Sequence, residues 1–152
     1  MIRKVMFMAF LCFLSSGIYA QNNKIFKGHL YNNAYKVYLD IDFYDNNIVV
    51  PGQELLGELS GFFGAKRDSR KWLITSVEIL DSKTAKLSII NDYGSEDLEA
   101  TLTVQKDGSF VLHQKSGSRI KIVVDRKWVK IPNNLVFLKT DKDEKSTLNK
   151  KE

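Results

Sequence analysis

Only one cysteine stands among the 152 residues, Cys12, and it falls inside an apolar run near the N-terminus. Past that run no thiol remains, which excludes a disulfide, a cysteine nucleophile and a thiolate metal ligand. Histidine is almost as scarce: His29 and His113 are isolated, and the usual zinc spacings are absent. Asp40, Asp42 and Asp45-Asn46-Asn47 gather oxygens but lack the calcium-loop register with its glycine and distal glutamate. The closest approach to a nucleophile elbow, Gly57-Glu58-Leu59-Ser60-Gly61, has the wrong spacing. No glycine-rich strand-to-helix turn exists to cradle a phosphate or dinucleotide. These absences point away from an enzyme and imply no metal and no cofactor.

Long apolar runs are missing too. The one candidate, Val5 to Leu14, spans about half of what a helix needs to cross a bilayer. Arg3 and Lys4 precede it, and Ser15-Ser16-Gly17-Ile18-Tyr19-Ala20 follows, small and polar, ahead of Gln21-Asn22-Asn23. That is the three-part layout of a secretory signal, with cleavage expected after Ala20. A lipid anchor on Cys12 fits less well, because Ala9-Phe10-Leu11 puts a bulky residue just before the cysteine. The expectation is a periplasmic or secreted protein without a stable membrane anchor.

Charge of one sign is also in short supply. Lys and Arg total 23 against 18 Asp and Glu, and the leader's Arg3 and Lys4 account for two of the five net positive charges. The small remainder, with both signs interspersed, suggests a soluble surface and no nucleic-acid footprint. The stretch 139–152 holds five lysines, four acids and a single apolar residue, Leu148. It has too little apolar surface to offset the entropy of ordering, and disorder is expected there.

What is abundant is period-two alternation. Tyr35, Val37, Leu39, Ile41 and Phe43 fall on one face, with Lys36, Tyr38, Asp40 and Asp42 on the other. Strands follow at Ile48–Val50, at Trp72–Leu80 with Leu73, Thr75, Val77 and Ile79 aligned, and at Ala85–Asn91. Leu98, Ala100, Leu102 and Val104 mark the next, and Lys106-Asp107-Gly108 is a hairpin signal. Phe110–Lys115, Arg119–Val124, Trp128–Ile131 and Leu135–Leu138 complete the series. Eight to ten short strands at this spacing, each with one polar face, predict an all-β antiparallel meander forming a barrel or sandwich. Across Gln53–Gly64 the glycines at 57, 61 and 64 disfavour a helix, so a glycine-kinked strand is expected, with Leu55, Leu59 and Phe63 on one face. The chain thus divides into a leader over 1–20, a single domain over 21–138 and a charged tail.

Candidate functional residues are aromatics and acids. Tyr38, Asp40, Asp42 and Tyr44 share the outer register of one strand, a surface able to stack on a sugar or dock a basic peptide. Phe62 and Phe63 lie in a glycine-rich stretch and could anchor a partner, since aromatics dominate interface hot spots; alternatively Phe63 fills the core and Phe62 covers a barrel mouth. Trp72 and Trp128 each follow Arg-Lys, an echo that suggests barrel-end caps with the cations snorkelling outward. Asp40 and Asp42 also stand roughly 7 Å apart along the strand, a glycosidase-like separation, though such pairs flank the scissile bond from opposing walls.

The leader ending Tyr-Ala before Gln21, the opening Phe26-Lys27-Gly28, and the close Arg126-Lys127-Trp128-Val129-Lys130-Ile131-Pro132 with Leu135-Val136-Phe137 resemble small exported β-barrel proteins of Bacteroidota, often lipocalin-like in build. The resemblance implies an extracytoplasmic barrel and carries no active site. Three functions compete. First comes a non-enzymatic protein that binds another extracytoplasmic protein, as a peptidase inhibitor or immunity protein does, with Pro51–Arg70 as its candidate surface. A carrier of a small apolar ligand is second, and a carboxylate-based glycan-active enzyme is third.

Overall fold

The structure, a computed structural model, describes residues 24–140; the expected leader and residues 141–152 of the expected tail lie outside them. Twelve strands follow in chain order: β1 (Lys27–Asn32), β2 (Val37–Asp42), β3 (Ile48–Val49), β4 (Glu58–Leu59), β5 (Gly61–Ala65), β6 (Asp68–Ile79), β7 (Thr84–Asn91), β8 (Asp97–Val104), β9 (Phe110–Gly117), β10 (Lys121–Val124), β11 (Lys127–Lys130) and β12 (Asn134–Thr140). Eight of them close into an antiparallel barrel in the order β1-β12-β9-β8-β7-β6-β5-β2. The architecture is the expected all-β meander, resolved in favour of the barrel. β12 runs two residues past the expected domain boundary, because Leu138 to Thr140 pair with β1 and close the ring.

The four remaining strands form two ribbons, one at each end. β3 and β4 pair only with each other, between β2 and β5. β10 and β11 pair only with each other, between β9 and β12. This second ribbon turns through Asp125 and Arg126, both at positive φ, the mirror-image two-residue turn that suits the twist of a hairpin. Its inner face carries Ile120, Ile122 and Ile131, all buried in the main core. The ribbon is therefore a lid over the barrel end where β6 begins. Two ties to β6 hold it, Val123 N–H donating to Asp68 Oδ2 at 2.8 Å and Trp72 Nε1–H donating to the Lys121 carbonyl at 3.3 Å, while Ile131 N–H closes the base of the ribbon on the Ile120 carbonyl at 2.8 Å.

The opposite end is stoppered by aromatics. Phe26 stacks on Phe43 at a centroid distance of 5.6 Å and meets Phe110 edge-on at 6.4 Å. Between lid and stopper, Leu30, Leu39, Ile41, Phe63, Ile74, Leu87, Ile89, Leu102, Leu112 and Phe137 pack into one continuous buried cluster. A second, smaller cluster lies on the outside of the wall, where Val50 seals Phe62 and Leu73 with Ile48 and Leu59 beside them.

That outer cluster corrects one register. Leu73 was aligned with Val77 and Ile79, yet it faces outward while its neighbours Trp72 and Ile74 face the core. The β6–β7 pairing slips between Ile74 and Ser76, leaving Thr75 as an extra residue. A bulge of this kind inverts the inside–outside parity of everything beyond it. The expected face is right after the bulge and inverted before it. Over 54–56 the kinked-strand expectation also gives way to a single 3-10 turn; Leu55 is wholly exposed, Leu59 packs on the outer cluster and Phe63 in the core, so the three share no face.

Candidate functional site

The outer face of β1 and β2 is built from three cross-strand pairs, Lys27 with Asp42, His29 with Asp40 and Tyr31 with Tyr38. Side chains directly opposite in an antiparallel pair lie close enough to interact. Lys27 Nζ stands 3.4 Å from Asp42 Oδ2, and His29 Nδ1 lies 2.5 Å from Asp40 Oδ1. The His29 and Tyr38 rings are 5.2 Å apart, and Phe62 meets Tyr38 edge-on at 5.9 Å. Gly64 makes room for this row: a Cβ there would fall 2.6 Å from the Tyr38 hydroxyl.

Above this floor runs a groove of about 740 Å³. Ile48, Val49 and Pro51 from the β3 ribbon form one wall, and Lys139 and Thr140 at the end of β12 contribute to its lining. The apolar side comes from the ribbon and the charged side from the barrel. Past Pro51 the 3-10 turn presents Leu55 and Leu56 to solvent, outside the groove lining.

No protein-family model matches the chain, and no curated protein or solved structure matches it either.

The eight candidate residues separate into four positions. Tyr38, Asp40, Asp42 and Phe62 share the outer wall, and Asp40, Asp42 and Phe62 line the groove itself. Phe62 is 2% exposed there, packed with Val50 and Leu73 rather than offered as an anchor. Phe63 is 1% exposed and belongs to the core, the packing alternative weighed for it. Tyr44 leaves the Tyr38 register: it follows the end of β2, and its hydroxyl accepts the Phe26 N–H at 3.2 Å. Trp72 and Trp128 are not equivalent caps. Trp72 points into the barrel at 4% exposure, whereas Trp128 sits on the lid at 58% with Arg70 over its ring at 4.7 Å.

The two aspartates have different tasks. Asp42 organises the turn after β2, its Oδ1 accepting N–H groups of Tyr44 and Asp45 at 3.1 and 3.0 Å. Burial pushes its carboxyl up, but those two N–H groups and the Lys27 ammonium outweigh burial and hold it below the usual aspartate range. Asp40 pairs with His29. It also helps raise the Tyr38 phenol above its ordinary value, burial being the larger cause. Both carboxylates rise from the groove floor, and its lining has no third carboxylate to face them across the space. That is not the opposed arrangement glycoside cleavage uses.

Sequence reasoning missed His29 and Val49; of the expected Pro51–Arg70 surface, which includes Leu55, only Pro51 and Phe62 line the groove. His29 had no motif, and only pairing β1 with β2 sets it against Asp40. Leu55-Leu56 did carry a signal: two leucines between Pro51-Gly52 and Gly57 have no strand in which to hide. His113, the second histidine, sits elsewhere on the outer wall against Asn134.

Proposed function

We propose that this protein is an exported, non-enzymatic binding protein whose outer-wall groove holds an extended segment of another extracytoplasmic protein. The single observation that carries this reading is the groove itself. It pairs an apolar side (Ile48, Val49, Pro51) with a polar floor (His29, Asp40), the mixture a peptide backbone and its side chains require. The filled interior supports an outside surface over a carrier's inside one, since lid, stopper and wall side chains pack there as one cluster. Peptidase inhibition and effector neutralisation are the concrete forms this activity takes.

Site-directed photo-crosslinking in the native cell envelope tests it. A photoreactive residue replacing Val49 is expected to yield a discrete protein adduct, lost when Asp40→Lys is added. The same residue replacing Lys86, on β7 at the far side of the barrel, is expected to yield none. Equal adducts at both positions, or none at Val49, would overturn the proposal.

A further inference from the structure

A second concavity, of about 220 Å³, lies at the lid end, away from the groove. Trp128 of the lid and Tyr93 of the β7–β8 turn line it, 58% and 80% exposed. Neither aromatic is on a loose segment. Asn91 Oδ1 accepts the N–H groups of Ser95 and Glu96 at 2.9 and 3.2 Å, which fixes the turn that presents Tyr93. Trp128 is held by two cations, with Arg70 at 4.7 Å and Lys121 Nζ at 5.1 Å from its ring centroid. Two large rings kept in solvent on pre-ordered supports cost the free protein apolar exposure and are set up to stack on a ligand.

The polar groups narrow the ligand class. Arg70 and Lys121 are matched in the lining by Asp92 and Glu96, and Lys121 Nζ already contacts Glu96 Oε1 at 3.0 Å. Charge is balanced, so the pocket does not select a strong anion or cation. Donors and acceptors stand side by side, which suits hydroxyl groups that both give and accept hydrogen bonds. Arg70 Nη1 is enclosed and has no hydrogen-bond partner among the described residues. A buried charged donor left unmet is costly, and the guanidinium gains if it turns that group toward a ligand oxygen in the pocket it lines. The volume is small for a drug-sized molecule and suits a single ring.

We propose that this lid pocket is a saccharide subsite, taking one neutral sugar ring with its C–H face against Trp128 and its hydroxyls toward Arg70, Glu96 and Asp92. It is independent of the groove and of the partner assigned to that groove.

The chain has two tryptophans, so its ¹⁵N spectrum carries two indole N–H signals, one from Trp128 and one from Trp72, which also lines the pocket and donates to the Lys121 carbonyl. The probes are the methyl glycosides of glucose, galactose and N-acetylglucosamine, with sodium acetate as the anion. At least one glycoside is expected to shift the Trp128 indole saturably at millimolar concentration while acetate does not. Followed on the Ser95 and Lys121 amides, Trp128→Ala is expected to weaken that glycoside about tenfold, and Trp128→Phe to retain most of the affinity. Trp128 is exposed, so both variants keep the fold, which the Trp72 signal verifies. No response to any glycoside, a response to acetate alone, or undiminished binding by Trp128→Ala would each overturn the assignment.

Discussion

Gln114 holds both strands of the lid to the barrel. Its Oε1 accepts the Ile120 N–H at 2.8 Å, and its Nε2 donates to the Ile131 and Pro132 carbonyls at 3.3 and 3.1 Å. The side chain points inward beside Ala100, where an apolar residue would otherwise stand. Gln114→Leu keeps the bulk and strands one backbone donor and two acceptors. The expected loss is about 2–4 kcal/mol, seen as a lower urea midpoint with an unchanged slope.

Asp42 makes stability depend on acid. Its carboxyl is held below the unfolded value of about 3.9, so it adds stability above that pH, and the contribution is lost as pH falls through the lower folded value. Urea midpoints measured across the acid range should therefore drop below about pH 4. Asp42→Asn should be less stable at neutral pH and show a shallower acid slope. Some slope remains, because the side chain and backbone N–H of Ser109 hold the Asp107 carboxyl low as well.

Tyr38 supplies a test at the alkaline end. Burial first, and Asp40 second, raise its phenol above the ordinary value of about 10. Stability linked to it is complete below that value and lost as pH rises through the higher folded one. In a phenolate absorbance titration a step above the ordinary value should vanish in Tyr38→Phe. The same step should move toward the ordinary value in Asp40→Asn, without reaching it. An unmoved step would mean that Asp40 exerts no field on the ring.

Phe63 and Leu55 should respond in opposite ways to truncation. Phe63→Ala empties a core position and is expected to cost about 3–5 kcal/mol. Leu55→Ala changes a side chain that touches nothing, so stability should stay within about 0.5 kcal/mol.

Much of the barrel was legible because its strands obey simple alternation. Val37, Leu39 and Ile41 face inward as their spacing required, as do Leu98, Ala100 and Leu102. What escaped were devices that break the period. Thr75 inserts one residue and inverts the parity of Trp72 and Leu73, a change that single-strand patterning cannot register. The lid hairpin turns through Asp125-Arg126 rather than through glycine, so its tightness left no compositional mark. The site was half visible. Tyr38, Asp40 and Asp42 were found as an outer face, but the groove requires β3 folded back over that face. Its His29–Asp40 contact exists only through strand pairing across 11 residues. Arg70 and Trp128 belong to the two copies of Arg-Lys-Trp; their meeting owes nothing to that repetition and follows from the lid closing over β6.

The pairing of β1 with β12, which sets His29 opposite Thr140, has a consequence for how the chain may be cut and rejoined. Because first and last barrel strands are neighbours, the wall is a ring whose starting point is arbitrary. A permutant that links residue 140 to residue 24 through a short flexible spacer, and opens at the exposed Lys106-Asp107-Gly108 turn, keeps Phe26 and every strand neighbour it had. In that arrangement β8 and β9 become the terminal strands, while the groove and the lid pocket each remain assembled from the same wall.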